Sequence, residues 1–138
     1  MARTNIRVSA VIIRRSKILL IHRFRDKEEY WVFPGGGVED GETIEEGLVR
    51  EVKEETDLDV LSFKKIFDAY NESDGLMQPF FLCETNNKDP EIIGEEKDKN
   101  TITNSYSLVW LDFKKISSVW LVPDEGKKKL IEYIEHIK

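Results

Sequence analysis

The fold of this chain can be inferred outward from residues 36–58, which read GGVEDGETIEEGLVREVKEETDL. Apolar residues recur every four positions from Ile44 to Val52, the spacing of one face of a helix. Thr43 and Glu46 occupy the positions of a capping box, which places the start of that helix. The stretch therefore predicts a glycine-rich turn that leads directly into a capped helix.

The acidic side chains of this predicted helix point in an unusual direction. At about 100° per residue, Glu51, Glu54 and Glu55 share one sector, and Glu55 points into the apolar arc. Like charges at these spacings repel one another, and the C-terminal half of a helix disfavours negative charge. A solvated acidic face explains Glu45 and Glu46. It does not explain Glu55, because a carboxylate directed at apolar neighbours is costly unless something compensates it.

A bound divalent cation is the simplest compensation for these carboxylates. Ligand sets made only of carboxylates favour hard cations, Mg²⁺, Mn²⁺ or Ca²⁺, over zinc. The run of glycines at 35–37 is by itself more typical of a tight turn than of a ligand loop, but beside an acidic helix it lets the backbone approach a metal or a phosphate. Gly47 lies mid-helix, where Gly costs about 1 kcal/mol relative to Ala, which indicates close packing of the loop or of a ligand.

Residues 36–58 have the pattern G-(5)-E-(7)-R-E-V-K-E-E-T-D-L, which closely resembles the Nudix box, a signature of 23 residues. The preceding segment 30–36, Tyr-Trp-Val-Phe-Pro-Gly-Gly, is similar to that family's usual approach to the box. One position departs from the pattern, since Asp57 stands where the family has Gly at the end of the helix. Asp adopts the left-handed conformation less readily than Gly but better than most residues. We expect a small effect on stability and none on the chemistry.

The resemblance implies an enzyme, a metal-dependent Nudix pyrophosphohydrolase that cleaves a nucleoside di- or triphosphate by attack of water on phosphorus. It implies that Glu51, Glu54 and Glu55 bind the metal, with the backbone carbonyl of Gly36 as a further ligand. The implied cation is Mg²⁺, with Mn²⁺ as a substitute. Arg50 is similar to the arginine that orients a box glutamate, with Glu51 as its expected partner. The implied catalytic residues are thus Glu51, Arg50 and Glu54.

Several roles stay open in the sequence. Glu42 matches a box position usually given a structural or outer-shell role. The general base is either Glu51 or one of Glu95 and Glu96 in a long polar loop, and Glu96 is also a candidate metal ligand. An ordinary solvated loop is the alternative interpretation of Glu95 and Glu96. The alternative functions are hydrolysis of ADP-ribose or dinucleoside polyphosphates, and a non-catalytic Nudix domain that senses a nucleotide.

Three further residues are candidates for substrate binding. Arg23 and Arg25 end the predicted second strand near the expected cleft, where they could meet a substrate phosphate, although each could equally be an ordinary surface cation. Gly37 belongs to the glycine loop. The aromatic side chains of Trp31, Trp110 and Trp120 could stack on a base, but in strands core packing is the better default.

The rest of the chain predicts a single α+β domain over residues 1–138, an α/β/α sandwich with a Nudix-like mixed sheet between helices. A final helix begins at Pro123-Asp124, with Leu130, Ile131, Ile134 and Ile137 facing inward. Residues 84–105 are almost without apolar side chains and predict a long loop, which is usually functional or disordered. Strands are predicted near 6–12, 18–22, 30–33, 60–67, 76–83 and 106–111.

Charge distribution limits the partners of this chain of 138 residues, whose net charge is −6. Residues 1–38 carry +5, residues 39–59 carry −8 and residues 60–138 carry −3. An acidic chain tracks phosphates poorly, so no long nucleic acid is expected as a partner. The acidic box should repel a small pyrophosphate unless a divalent cation stands between them, which makes a nucleotide pyrophosphate carried on Mg²⁺ the expected ligand.

The location of the protein is predicted from the absence of targeting signals. No apolar run approaches the length of a membrane span, and the first residues lack the order of a secretory signal. The single Cys83 excludes an intramolecular disulfide. We therefore expect a soluble cytoplasmic protein without membrane contact, either a monomer or a homodimer.

Overall fold

A computed structural model describes residues 3–91 and 104–137 of the chain. The described part contains two α-helices, a 3₁₀ helix and nine strands. In chain order these are β1 (Arg3–Val11), β2 (Ile13–Arg14), β3 (Lys17–Arg25), β4 (Glu28–Val32), β5 (Gly35–Glu39), α1 (Ile44–Thr56), β6 (Val60–Asn71), β7 (Leu76–Thr85), β8 (Asn104–Asp112), the 3₁₀ helix (Phe113–Ser118), β9 (Leu121–Val122) and α2 (Asp124–Ile137).

The strands form two sheets. The first has the order β5-β1-β7-β6, with β1 and β7 parallel and the other pairs antiparallel. The second has the order β2-β3-β4-β9, and β8 pairs with the remaining edge of β3. Helix α1 packs on one face of the first sheet and helix α2 on the other, so the predicted α+β arrangement with helices on both faces is confirmed.

Alternation along β1 divides the core into two parts. Val8 and Ala10 of β1, and Ile12 directly after it, point towards α1, where they pack with its Leu48 and Val52. Val11 points the other way, into a cluster that includes Phe80 of β7 together with Leu130 and Ile134 of α2. Since successive side chains of a strand face opposite sides of a sheet, one strand supplies both cores.

The glycines before α1 form a strand, which corrects the sequence prediction that the chain turns there. Gly35–Glu39 is β5, paired antiparallel with β1 so that Gly35 lies opposite Ser9 and Gly37 opposite Arg7. A Cβ at Gly35, where φ is +147°, would lie 2.1 Å from the carbonyl oxygen of Val8. The glycine therefore permits a strand that approaches its neighbour too closely for any side chain.

Two other boundaries differ from the prediction. The strands predicted near 18–22 and 30–33 are longer than expected, because β3 and β4 continue through residues 23–29 and join at a tight turn in which Asp26 and Lys27 have φ of 50° and 70°. This is the left-handed conformation that two-residue hairpin turns require. In α2, Ile131 packs against the core as expected, whereas Ile137 is 51% exposed, so its predicted inward orientation is wrong.

Helix α1 begins and ends as the sequence predicts. The Thr43 side chain accepts from the Glu46 N–H at 3.0 Å, and the Glu46 carboxylate accepts from the Thr43 N–H at 2.8 Å, which completes the capping box. At the other end Asp57 takes the left-handed conformation, with φ of 60°, and its N–H donates to the carbonyl of Lys53. Neither described α-helix has the length and apolar character needed to cross a membrane.

Candidate active site

Glu51 is the one carboxylate among the buried residues of α1, and it is 6% exposed. It lies against Gly36 of β5, where a Cβ would be 2.5 Å from Glu51 Oε2. Its Oε1 accepts a hydrogen bond from Arg50 Nη1 at 2.9 Å. Gly36 is therefore glycine because the Glu51 carboxylate occupies the space that any side chain would need.

Arg50 joins the helix to the strand beside it. Its Nε and Nη2 donate to the two carboxylate oxygens of Glu42 at 2.7 and 2.9 Å, a fork-to-fork pair that fixes both groups. Nη2 also donates to the carbonyl of Gly37 at 3.0 Å. The hydrogen bonds to Glu42 raise the pKa of Arg50 above its ordinary value; burial opposes them, and Glu51 adds to the rise. The arginine therefore stays charged and holds Glu51 in place.

The other two predicted ligands differ in exposure. Glu55 Oε1 accepts the backbone N–H of Gly35 at 2.6 Å, which supplies part of the compensation that the sequence argument requires for this carboxylate. The Glu54 side chain is 56% exposed and lies 3.3 Å from Arg50 Nη1. Glu51 and Glu55 thus both meet the segment Gly35–Gly36, while Glu54 stands at the solvent side of the same cluster.

The oxygen donors of this site suit a hard divalent cation. Within residues 3–91 and 104–137 no three acidic, His or Cys side chains converge into a closed metal cage. Mg²⁺ does not need one, because it is usually held by one or two carboxylates and completes its shell with water and substrate phosphates. The buried carboxylate of Glu51, pressed against a glycine backbone, fits that open kind of site. Glu95 and Glu96 lie outside the described residues.

A cleft of about 680 Å³ opens on the α2 side of the first sheet. Its floor includes Ser9, and its walls include Tyr30, Phe33 and Trp120. Ser9 is paired with Gly35, whose N–H binds Glu55, so a single strand pair separates the cleft from the carboxylates. The acidic cluster and the cleft therefore adjoin across β5.

The predicted substrate-binding residues separate in the structure. Arg25 lines the cleft and is exposed. Arg23 instead donates from Nη2 to the hydroxyl of Tyr106 at 2.6 Å, with its guanidinium 4.0 Å from the centre of that ring. Gly37 accepts from Arg50 through its carbonyl and supports the carboxylate cluster. Only Arg25 of the three therefore faces the cleft.

Several cleft residues are missing from the sequence prediction. Arg7, Ser9, Asn71 and Gln78 all line the cleft, and none was singled out. Trp120 was assigned to core packing by default, but it is 51% exposed at the cleft. One signal was present in the sequence, because Gln78 is in phase with Phe80 on the inward face of β7, where an amide is unexpected.

A second cavity, of about 630 Å³, lies between the outer face of α1 and β6. It is lined by apolar side chains such as Val49 and Phe63, and none of the three candidate metal-binding glutamates reaches it. The chemistry of the box therefore belongs to the cluster beside β5 rather than to this cavity on the outer face of α1.

The family model for the NUDIX domain matches residues 3–134, and the chain belongs to this family. The prediction made from the box is thereby confirmed at the level of the family, whose members generally use divalent metal cations. The assignment covers nearly the whole chain, including both sheets and both helices.

Individual relatives support the family and the fold. The chain is 43% identical over 68 residues to an ADP-ribose pyrophosphatase of Methanocaldococcus jannaschii, a match covering 49% of this chain and 40% of that protein. The chain thus spans less than half the length of that relative. The MutT protein of Methanosarcina mazei Go1 shares the fold with a TM-score of 0.71 at 21% identity, covering 96% of this chain and 94% of that one. The NUDIX domain of Shewanella oneidensis NrtR, solved with ADP ribose, gives 0.70 at 18% identity, covering 100% and 91%.

Proposed function

We propose that this chain is a Mg²⁺-dependent pyrophosphohydrolase that cleaves a nucleoside di- or triphosphate-type substrate. The observation that carries the proposal is the buried Glu51 carboxylate, held by Arg50 against Gly36 beside an open cleft. Burying a carboxylate beside other acidic groups costs stability. Helix α2, which covers the opposite face of the same sheet, buries no charged residue. The cost is explained if the site holds a cation and a phosphate.

The residues of the acidic cluster have two proposed roles, binding the metal and orienting its ligands. Glu51 and Glu55, at the strand edge, and Glu54, at the solvent side, are the proposed metal ligands, together with the Gly36 carbonyl. A bound Mg²⁺ supplies charge neutralisation for the diphosphate and activation of the attacking water. Arg50 keeps the Glu51 carboxylate oriented towards β5, since it also grips Glu42 and the Gly37 carbonyl.

The bond changes are those of hydrolysis at phosphorus. The oxygen of water forms a bond to phosphorus, the bridging P–O bond breaks, and the proton of the water passes to a general base. Glu51 already accepts a hydrogen bond from Arg50 and lies against Gly36, an arrangement that favours its role as a ligand. Glu95 and Glu96 stay candidates for the base. The bridging oxygen leaves with the departing phosphate group, so water is the only co-reactant that the reaction needs.

The cleft supplies a place for the rest of the substrate. A nucleoside seated against Tyr30, Phe33 and Trp120 would extend its phosphates across β5 towards the carboxylates. Arg25 and Arg7 place positive charge at the cleft for a substrate phosphate, while Glu72 and Asp74 line the same cleft. Mg²⁺ as the particular ion, with Mn²⁺ as its substitute, the cytoplasmic location and the monomeric or homodimeric state stay predictions from the sequence.

A phosphate-release screen coupled to inorganic pyrophosphatase, with the nucleotide products also separated by chromatography, tests the proposal. The intact chain is incubated with nucleoside triphosphates, oxidised nucleotides, ADP-ribose and dinucleoside polyphosphates, with Mg²⁺, with Mn²⁺, and with EDTA. We expect metal-dependent turnover of at least one substrate and none in EDTA. If no compound is hydrolysed with either metal, the chain is not a pyrophosphohydrolase of this kind.

ADP-ribose hydrolysis is the second candidate. It is favoured by the 43% identity to the archaeal ADP-ribose pyrophosphatase over 68 residues. Cleavage of its pyrophosphate would yield AMP and ribose 5-phosphate, which chromatography separates. A non-catalytic nucleotide sensor would instead bind a nucleotide in calorimetry and release no phosphate from it in the presence of Mg²⁺.

A further inference from the structure

Two buried polar side chains in the cleft are not explained by the proposed hydrolysis. Ser9 of β1 is 7% exposed and Gln78 of β7 is 4% exposed. Both lie on the sheet face that carries Val11 and Phe80 of the core, and both line the cleft. An amide and a hydroxyl at such positions are costly unless their hydrogen-bonding groups are satisfied.

The two residues belong to a chain of hydrogen bonds that we name the amide relay, Ser9–Gln78–Asn71. Gln78 Nε2 donates to Ser9 Oγ at 2.9 Å. Asn71 Nδ2 donates to Gln78 Oε1 at 3.3 Å. The backbone N–H of Ser73 donates to Asn71 Oδ1 at 3.0 Å. The relay therefore runs from the β6–β7 turn to the floor of the cleft.

The backbone group sets the direction of every bond in the relay. A backbone N–H can only donate, so the Asn71 atom that it meets must be the oxygen. The Asn71 amide nitrogen then faces Gln78, which must present its own oxygen there and its nitrogen to Ser9. Ser9 Oγ is consequently an acceptor in the relay, and its hydroxyl hydrogen is left to donate elsewhere.

The relay leaves two donors at the cleft floor, the Ser9 hydroxyl and the second N–H of Gln78. Among the residues that the structure describes, neither hydrogen meets a further acceptor. The two groups are neighbours, since Gln78 Nε2 lies 2.9 Å from Ser9 Oγ. The floor of the cleft is thus a pair of adjacent donors, and its walls combine the aromatic side chains Tyr30, Phe33 and Trp120 with charged residues.

We propose that the amide relay makes the cleft selective for a base that presents two adjacent acceptors, and among purines for a 6-oxopurine over a 6-aminopurine. A 6-oxopurine offers O6 and N7, both acceptors, whereas a 6-aminopurine offers an N6 donor beside N7. An N6 donor would face the donors of Ser9 and Gln78. The inference rests on the proposed function only in placing a nucleotide in the cleft.

Binding of IMP and AMP tests the proposal without any chemistry. The two nucleotides differ at position 6 and at the adjacent N1–H, and both lack a pyrophosphate to cleave. Calorimetry on the intact chain should give at least about tenfold tighter binding of IMP, the discrimination of one well-matched pair of hydrogen bonds. Gln78→Glu at pH 8 replaces the donor with an acceptor and should abolish or reverse that ratio.

Two further variants keep the test decisive. Trp120→Ala removes an aromatic wall of the cleft. It should lower the affinity for both nucleotides by the same factor, because stacking depends little on which base is bound. Ser9→Ala removes one donor and should lower the ratio of IMP to AMP affinity even if Gln78→Glu fails to fold.

The proposal is overturned if wild type binds the two nucleotides equally, prefers AMP or binds neither. A ratio unchanged in a folded Gln78→Glu or Ser9→Ala protein also overturns it. Selective binding of IMP without any turnover in the phosphate-release screen would instead contradict the hydrolase proposal and still support the selectivity proposed for the amide relay.

Discussion

The two α-helices cover opposite faces of one sheet and share most of their construction. Both α1 and α2 have acidic residues in their first turn, and each buries a glycine, Gly47 in α1 and Gly126 in α2. They differ in what else they bury. The other buried residues of α2 are Leu130 and Ile134, whereas α1 buries a glutamate, Glu51. Helix α2 shows that covering a face of the sheet does not require a buried carboxylate, so Glu51 of α1 fits the proposed metal site better than a purely structural role.

The ion pairs of the two helices differ in the same way. Lys129 and Glu125 of α2 lie 3.4 Å apart with both side chains more than a third exposed, the kind of pair that contributes little to stability. Arg50 of α1 is 22% exposed and bonds to Glu42, to Glu51 and to a backbone carbonyl. A network of this kind orients its members, which a single surface pair cannot do.

The largest difference is expected from removing one carboxylate charge in each helix. Glu55 accepts the N–H of Gly35 and Glu125 accepts the N–H of Tyr70, so Gln can keep both hydrogen bonds. Glu55→Gln should lower kcat/KM by about 10²-fold or more, because charge stabilisation at the phosphate is lost. Glu125→Gln should leave kcat/KM within about twofold. Steady-state kinetics on the best substrate of the screen gives both values.

The stability of the two variants serves as the control for this pair. Both should unfold close to wild type, since each keeps the shape and the accepted hydrogen bond of the residue it replaces. Equal activity of Glu55→Gln and wild type would remove Glu55 from the proposed metal ligands and would weaken the contrast between the helices.

The next difference concerns the cations of the two helices. Arg50→Lys keeps the charge but loses the fork that holds Glu42 and the Gly37 carbonyl together. Glu51 should then be poorly oriented, and the Mg²⁺ concentration for half-maximal activity should rise about 10- to 100-fold. Lys129→Arg in α2 should leave this concentration unchanged. A change in kcat with no change in Mg²⁺ dependence would contradict the positioning role of Arg50.

A third pair of variants separates a loss of stability from a loss of activity. Gly126→Ala would place a Cβ 2.8 Å from the ring of Phe80, which is fully buried, and overpacking of this kind costs about 1–3 kcal/mol. Gly36→Ala would instead displace the end of the Glu51 side chain. Denaturant unfolding should show the larger loss for Gly126→Ala, while activity per folded molecule should fall only for Gly36→Ala. The opposite assignment would mean that Gly36 serves the fold alone.

The acidic site could be predicted from the sequence because its signals are local. The capping box, the apolar period and the three glutamates all lie within residues 43–55, where helical geometry alone decides which side chains share a face. The contact of Arg50 with Glu51 was expected from the resemblance to the box and not from helical geometry, because neighbouring side chains of a helix point about 100° apart. The contact of Glu55 with Gly35 could not be foreseen in this way, because it depends on the pairing of β5 with β1.

The cleft could not be predicted because its residues meet only through the sheet. Ser9 and Gln78 lie 69 positions apart and come together through the parallel pairing of β1 and β7. Trp120 reaches the cleft through the segment before α2, and its strand-like surroundings favoured a core position. Strand β5 was missed for a related reason, since a run of glycines disfavours a strand locally and forms one only where a neighbouring backbone approaches closely.

The smallest expected effect lies at the end of α1, where Asp57 replaces the Gly of the family pattern. Lys88, and then Lys53, lower the pKa of Asp57 below its ordinary value of 3.8. A carboxylate with a lowered pKa stabilises the fold above the ordinary value and loses that contribution as the pH falls through the folded one. Asp57→Asn tolerates the left-handed φ of 60° but lacks the charge.

The variant should therefore be slightly less stable than wild type at pH 7; the difference should shrink as the pH falls below about 3.8, the ordinary Asp value, and vanish below the lowered pKa of the folded state. Added salt at pH 7 should reduce the difference as well, since both lysine partners are partly exposed and open to screening. Thermal unfolding against pH and salt measures both trends. A deficit that persists at low pH would show that the side chain's shape at the left-handed position, and not its charge, supports this end of α1, in contrast to the charged cluster one turn earlier.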